Sequence, residues 1–226
     1  MCGRYTLTQT EQIPDVFEVD EVRLPPRYNI APSQTVPAVT LADHDTRQLG
    51  LYRWGLIPYW AKDEKIGFKM INARSETVAS KSAFRNAFQK RRCLLPTDGY
   101  YEWRKQSDGK QPFLFRRKDR GLMAFAGLWE RWRAPDGHQV LSCTIITTGP
   151  NPLSGQVHDR MPVILPHEEH GHWLDPEARS KELRALLVPY PAEEMEAVAV
   201  SREVNSPHNE RPEIIEEVAV ENPPRL

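Results

Sequence analysis

Prolines set the strongest limit on how this chain can fold. The sequence contains 20 prolines in 226 residues, which is nearly twice the usual share of about 5%. Because proline fixes its own φ and donates no backbone hydrogen bond, it interrupts helices and central strands. A helix bundle is therefore disfavoured, and we expect short elements joined by extended connections.

Short segments rich in β-branched, aromatic or leucine residues predict the sheet. The turn signals between them are Asp98-Gly99, Asp108-Gly109, Arg120-Gly121 and Pro135-Asp136-Gly137, and they predict consecutive hairpins. The predicted strands are residues 47–54, 92–95, 100–104, 111–117, 122–128, 139–147, 161–165 and 196–201. This pattern is typical of a mostly antiparallel β-sheet with a barrel-like core.

Helical signals are few, and they predict peripheral helices. The helical segments are residues 11–19, with Pro14 near the first turn, 81–90, 167–174 and 180–188. Prolines 25, 26, 32 and 37 predict that residues 20–40 are largely loop. The fold class is therefore α+β. We predict a single domain over residues 1–220 and a frayed tail at residues 221–226.

Charge is distributed unevenly along the chain. The net charge is −1, yet residues 1–133 carry 23 Lys and Arg against 15 Asp and Glu, a balance of +8. The remaining residues carry 7 against 16, a balance of −9. Such asymmetry indicates either a surface suited to a polyanion or complementary packing of the two halves.

Cysteine and apolar patterning bear on the compartment. The three cysteines, at positions 2, 93 and 143, are odd in number and form no CxxC pair, which favours a reducing cytoplasm over a disulfide framework. No apolar run approaches the ~18 residues that span a bilayer, so we predict no membrane association. His167-Glu168-Glu169-His170 departs from the HExxH zinc motif because its histidines are three residues apart. No metal and no cofactor are predicted.

Cys2 is the position with the most unusual chemistry. Removal of Met1 would give this residue a free α-amine with a pKa of about 8 beside a thiol with a pKa of about 8.5. The amine forms a Schiff base with an aldehyde, and the thiol then attacks the imine carbon to close a thiazolidine ring. On position alone, a cysteine without a function is the alternative.

Six blocks of sequence resemble one known family. They are Met1-Cys2-Gly3-Arg4-Tyr5, RYNIAP at 27–32, WGLIPYW at 54–60, INARSET at 71–77, DGYYEW at 98–103 and VHDRMPVIL at 157–165. Together and in this order they resemble the SOS-response-associated peptidase family. The resemblance implies a protein that cross-links to abasic sites in single-stranded DNA through its N-terminal cysteine and shields the lesion from cleavage.

The resemblance also assigns four catalytic residues. Cys2 is the expected nucleophile, and Glu102 is expected to exchange protons with the carbinolamine and the imine if burial raises its pKa. His158 is expected to protonate the sugar oxygen as the ring opens, or to hydrogen-bond the opened sugar. Asn72 is expected to hold the α-amine or a sugar hydroxyl. The alternatives are a strand glutamate facing water, a loop histidine and a turn asparagine.

Five further residues are candidates for DNA binding. Arg4, Arg74 and Arg160 lie in the matched blocks and are expected to contact phosphates, unless they are ordinary surface arginines. Trp103 and Pro32 are expected to stack on bases or to wedge between them. Core packing is at least as good an interpretation for two other aromatic residues of the blocks, Trp54 and Trp60.

Three functions remain open at this point. The leading one is a cross-linking enzyme with lyase-type Schiff-base chemistry. The second is a cysteine peptidase in which Cys2 and His158 cleave at least the Met1–Cys2 bond, and the third is a non-covalent reader of single-stranded DNA. The expected partner is single-stranded DNA with abasic sites. The expected state is a cytoplasmic monomer, associated with the nucleoid if the source is bacterial.

Overall fold

A computed structural model describes residues 2–42 and 46–226, which contain two β-sheets and short helices. The strands are β1 Tyr5–Leu7, β2 Arg27–Ile30, β3 Thr35–Leu41, β4 Arg47–Trp54, β5 Asn72–Arg74, β6 Arg92–Thr97, β7 Gly99–Gln106, β8 Gly109–Arg117, β9 Met123–Arg133, β10 Gln139–Thr148, β11 Met161–Pro162, β12 Ile164–Leu165 and β13 Met195–Ala199. The α-helices are α1 Ile13–Phe17, α2 Arg85–Lys90, α3 His170–Leu174 and α4 Ser180–Ala185.

Five strands close into a barrel. Their order is β10-β4-β3-β6-β9, and β9 pairs with β10 to complete the circle. All of these pairings are antiparallel except that of β10 with β4. The barrel packs tightly at Gly127, where a Cβ atom would lie 2.9 Å from Cys93 Sγ and 3.1 Å from the Thr144 carbonyl oxygen. The predicted fold class, an α+β chain with a mostly antiparallel, barrel-like core, is confirmed.

The second sheet packs against the barrel through aromatic side chains. Its strand order is β13-β8-β7-β1-β2, and Tyr5 of β1 pairs with Tyr100 of β7. The Tyr5 ring meets the rings of Trp54 and Phe125 edge-on, at centroid distances of 5.2 and 5.8 Å. Tyr100 also meets Phe125, at 6.1 Å. These contacts fix β1 and β7 against the barrel wall.

Two expectations from the sequence were wrong. Residues 20–40 are loop over only about half of their length, because ten of these 21 residues lie in β2 and β3. Pro37 is accommodated within β3 since that strand pairs with β6 only at Val39, so few ladder bonds are lost there. The four turns do not form consecutive hairpins: the turns at 98–99 and 120–121 join strands of different sheets, and only the other two close hairpins.

The helices are confirmed in place but are shorter than predicted. Residues 10–12 form a 3-10 turn before α1, which has Pro14 in its first turn and is followed by Glu18 with φ 55°. Helix α3 docks on the barrel, where Trp173 Nε1 donates to the Cys93 carbonyl at 3.0 Å.

The C-terminal residues 221–226 lie against the protein. Pro224 is buried, and the Gln156 amide donates to the Arg225 carbonyl at 2.7 Å. The fraying of this tail stays a prediction.

Candidate active site

The N-terminal strand and β7 bring Cys2 and Glu102 together. The Tyr101 amide donates to the Arg4 carbonyl at 3.0 Å, which continues the pairing of β1 with β7 toward the N-terminus. Cys2 is fully buried and Glu102 is 3% exposed. Glu102 lies close enough for its charge to act on the Cys2 thiol. A thiol and a carboxyl group are therefore buried next to each other, where the residues before β1 run alongside β7, two inner strands of the second sheet.

Burial sets the protonation of both groups. It raises the pKa of the Cys2 thiol well above its usual value, and the neighbouring Glu102 carboxylate raises it further. Burial likewise raises the pKa of Glu102 to about 7. Near neutral pH the thiol is protonated, while Glu102 exchanges between its acid and its carboxylate. A carboxyl group in this state can both donate and accept a proton.

His158 completes a cluster with Glu102. Its Nε2 lies 3.9 Å from Glu102 Oε2, on the loop that follows a 3-10 turn at residues 154–156. Burial lowers the pKa of His158. Its Nδ1 accepts the Arg160 backbone N–H at 3.0 Å and also lies 2.9 Å from an Asp159 carboxylate that is 88% exposed. Because the backbone amide is fixed whereas the carboxylate is solvated, Nδ1 is the acceptor, and the neutral imidazole is assigned its proton on Nε2, toward Glu102.

Asn72 lies on β5, beside the barrel. This strand pairs in parallel with β10, with Asn72 opposite Ile145. Its side-chain amide donates to the Ile71 carbonyl at 2.9 Å. Its Oδ1 is buried and has no hydrogen-bond partner among the described residues. The side chain therefore presents an acceptor to a ligand, although its own hydrogen bond does not join it to the Cys2–Glu102–His158 cluster.

The three predicted phosphate contacts differ in their surroundings. Arg74 is exposed at the end of β5, and no ion pair within residues 2–42 and 46–226 includes it. Arg160 pairs with Glu76 at 2.5 Å and donates to the Thr147 carbonyl at 2.6 Å. The Arg4 guanidinium donates to Asn29 Oδ1 and to the Val204 carbonyl, each at 2.7 Å. Arg74 is thus the exposed one of the three, whereas Arg4 and Arg160 are partly buried.

The aromatic candidates also differ. Trp103 is partly buried, and its Nε1 donates to Asn205 Oδ1 at 2.7 Å. Pro32 is partly buried in the turn before β3. Trp54 is fully buried, which confirms core packing, whereas Trp60 is 47% exposed, so core packing was wrong for that residue.

Sequence reasoning missed two residues near the site. Asn29 is fully buried and bonds Arg4, and Asn205 binds the Trp103 indole. The signal for Asn29 was its position inside the RYNIAP block. Asn205 lies outside every block, so no signal could have found it.

The described part of the chain holds neither a metal-binding cluster nor a membrane-spanning helix. No group of three or more His, Cys, Asp or Glu within the described ranges is arranged to hold a metal ion. In the same part of the chain, no helix has the length and apolar character needed to cross a membrane.

The fold and the site define a class: a β-barrel protein with a second sheet that buries a thiol beside a carboxyl group and an imidazole. Comparison with known proteins gives the family. Residues 1–207 match the family described as SOS response associated peptidase (SRAP), and the chain belongs to it.

Named relatives agree with this assignment. The chain is 47% identical over 223 residues to the abasic site processing protein YoaM of Bacillus subtilis (strain 168), a match that covers 96% of this chain and 98% of the relative. It is 32% identical over 231 residues to the abasic site processing protein HMCES of Xenopus tropicalis, covering 88% and 68%. A crystal structure of a Bacteroides thetaiotaomicron protein superposes with a TM-score of 0.88 at 28% identity, covering 96% of this chain and all of that one.

Proposed function

We propose that this protein binds single-stranded DNA at abasic sites and captures the ring-opened aldehyde covalently on Cys2. The observation that carries the proposal is the burial of the Cys2 thiol beside Glu102, whose pKa is raised to about 7. The choice of an abasic site as the lesion rests on the names of the relatives, which are called abasic site processing proteins. Loss of Met1 is part of the proposal, since only then does Cys2 carry a free amine.

The chemistry proceeds in two stages. The α-amine of Cys2 attacks the aldehyde carbon to give a carbinolamine, which loses its hydroxyl as water and becomes an imine. The thiol then adds across the C=N bond: sulfur bonds to carbon, and the thiol proton ends on nitrogen. The sum is aldehyde plus aminothiol giving thiazolidine plus one water. Glu102 is suited to deliver the proton that the hydroxyl needs and to accept the proton that the thiol gives up.

His158 has a distinct part in this scheme. The neutral imidazole presents its Nε2 proton toward Glu102 and the reacting centre. It therefore acts as a hydrogen-bond donor to the sugar oxygen during ring opening, rather than as a full positive charge. Asn72 Oδ1, which has no hydrogen-bond partner among the described residues, is suited to accept from the α-amine or from a sugar hydroxyl.

DNA binding is proposed to rest mainly on backbone charge. Phosphate contacts supply affinity without sequence preference, as recognition of a lesion requires. Arg74 has the exposure for this role, and Trp103 with Pro32 provides surfaces for a base beside the gap. We propose that the protein acts as a cytoplasmic monomer.

Self-cleavage of the Met1–Cys2 bond is the second candidate, favoured by the family's description as a peptidase. A cysteine peptidase depends on a thiolate, which a lowered pKa or a paired base provides. Burial instead raises the pKa of Cys2. Capture of an aldehyde, which begins at the amine, fits this environment better.

The test is cross-linking to an abasic oligonucleotide, read on a denaturing gel after boiling. We expect a durable adduct with the parent protein, none with Cys2→Ala, and an adduct with Cys93→Ala, which removes another fully buried thiol. Non-covalent binding by Cys2→Ala should persist. A durable adduct formed by Cys2→Ala would overturn the proposal.

A further inference from the structure

We propose that Asn29 is a positioning residue that, through Arg4, holds the N-terminal strand and with it Cys2 in place for capture. The inference rests on the proposed function, since it takes Cys2 as the nucleophile. It concerns a side chain that touches none of the reacting groups.

Asn29 lies where β2 meets residues 204–209, and it is fully buried. Its Oδ1 accepts from Arg4 Nη1 at 2.7 Å. Its Nδ2 shares two protons among the carbonyl oxygens of Val204, Ser206 and Asn209, at 3.3, 3.0 and 2.8 Å. Only an amide supplies an acceptor toward the arginine and donors toward three carbonyls at once.

Arg4 connects Asn29 with the strand that leads to Cys2. Its Nη1 also donates to the Val204 carbonyl at 2.7 Å, so the arginine and Asn29 bind the same segment. Its own carbonyl accepts from the Tyr101 amide, next to Glu102. Cys2 lies two residues before Arg4, and the Arg4 backbone also hydrogen-bonds the Cys2 thiol, so the position of Arg4 bears directly on that of Cys2.

The same segment holds the candidate stacking surface. Asn205 accepts the Trp103 indole N–H, and the Arg4 guanidinium lies 5.9 Å from the centre of the Trp103 ring. Glu210 binds this segment to β2, since its carboxylate accepts hydrogen bonds from the backbone N–H groups of Tyr28 and Asn29. Residues 204–210 therefore connect the strand of the nucleophile with Trp103.

The expected consequence is kinetic. Loss of the Asn29 amide removes its hydrogen bonds to Arg4 and to the three carbonyls, and only the bond from Arg4 to the Val204 carbonyl remains, which loosens the strand end that carries Cys2. A small misplacement of a reacting group costs on the order of 10²-fold in rate without an equal loss of affinity. Asn29→Ala should therefore slow capture at saturating DNA by at least about tenfold, while the DNA concentration that gives half the maximal rate changes by less than about threefold.

The experiment measures cross-linking rates over a range of DNA concentrations for Asn29→Ala, Arg4→Ala and the double variant. If Asn29 acts through Arg4, the double variant should be no slower at saturation than Arg4→Ala alone. Leu183→Ala, a buried change on α4, serves as the control for a general loss of stability. Effects that multiply in the double variant, an Asn29→Ala rate within twofold of the parent, or a loss confined to affinity would each overturn the inference.

A second variant and a measurement without DNA complete the test. Asn29→Asp replaces Asn29→Ala if the latter does not fold. It keeps the acceptor for Arg4 but turns a carboxylate toward three carbonyls, so the same slowing is expected. Hydrogen exchange of the Tyr101 amide needs no DNA, and it should speed up in Asn29→Ala but not in Leu183→Ala. If the parent forms no adduct, the proposed function fails; if the parent reacts and Tyr101 exchange is unchanged in Asn29→Ala, this inference fails.

Discussion

Replacement of Glu102 by glutamine should change how stability depends on pH. Burial raises the pKa of Glu102 from 4.5 to about 7. A raised pKa means that the folded protein holds this proton more firmly than the unfolded chain does. The stabilising effect is complete below pH 4.5 and is lost as pH rises through 7. Glutamine keeps the shape without the ionisation, so the variant escapes this loss.

The magnitude follows from the difference in pKa. About 7 minus 4.5 is about 2.5, and one pKa unit corresponds to about 1.4 kcal/mol, so ionisation of the buried carboxyl costs on the order of 3 kcal/mol. The free energy of unfolding of Glu102→Gln minus that of the parent should therefore grow by about 3 kcal/mol between pH 4 and pH 8. Most of the change should fall between pH 4.5 and pH 7.

Urea unfolding at constant ionic strength, followed by fluorescence at half-unit steps of pH, measures this difference. Glu177→Gln, an exposed glutamate outside the site, is the control. The reasoning is refuted if the difference between Glu102→Gln and the parent stays flat across this range, or if it shrinks as pH rises. Either result would mean that the carboxyl is ionised in the folded protein as readily as in the unfolded chain.

Further predictions concern DNA, the imidazole and the barrel. Arg74→Ala and Arg160→Ala should each reduce the slope of log K against log salt on single strands by about 0.7, with Arg179→Ala as the control in the same titrations. Arg160→Ala should also unfold at lower urea, since it loses Glu76 and the Thr147 carbonyl; unchanged slopes in both variants would assign the arginines to packing. His158→Gln, which keeps a donor, should slow adduct formation less than His158→Ala, and equal rates for the two would exclude the donor role. Gly127→Ala should lower the free energy of unfolding by about 1–3 kcal/mol through overpacking, because the new methyl group meets Leu95, Cys93 and Thr144; unaltered urea midpoints would contradict this.

The strands of the barrel were largely predictable because their sequence pattern is local. Residues 47–54 were predicted to the residue, since this run is rich in strand-forming residues and is bounded by turn signals in the sequence. β5 was missed because three residues carry no periodicity, and β2 and β3 were missed because prolines outweighed the β-branched residues between them. The sheet to which each strand belongs is decided by long-range packing, so the turns at 98–99 and 120–121 could not be recognised as crossings.

The site was predictable only through the matched blocks. No spacing rule connects Cys2, Glu102 and His158, which are brought together by β1, β7 and the loop after residues 154–156. The blocks could not reveal which hydrogen bonds and ion pairs each side chain makes. The engagement of Arg160 with Glu76, and of Arg4 with Asn29, depends on partners that lie 84 and 25 residues away.

The proposed function requires that Cys2 forms a thiazolidine with an abasic aldehyde. Mass spectrometry of the intact protein after incubation with an abasic oligonucleotide, with and without borohydride, tests it most directly. We predict an adduct whose mass is that of the Met1-less protein plus the oligonucleotide minus one water, mapped to Cys2 and unchanged by borohydride. An imine would gain two hydrogen atoms. The absence of an adduct, a gain of two hydrogen atoms with borohydride, or an adduct on another residue would contradict the proposed function.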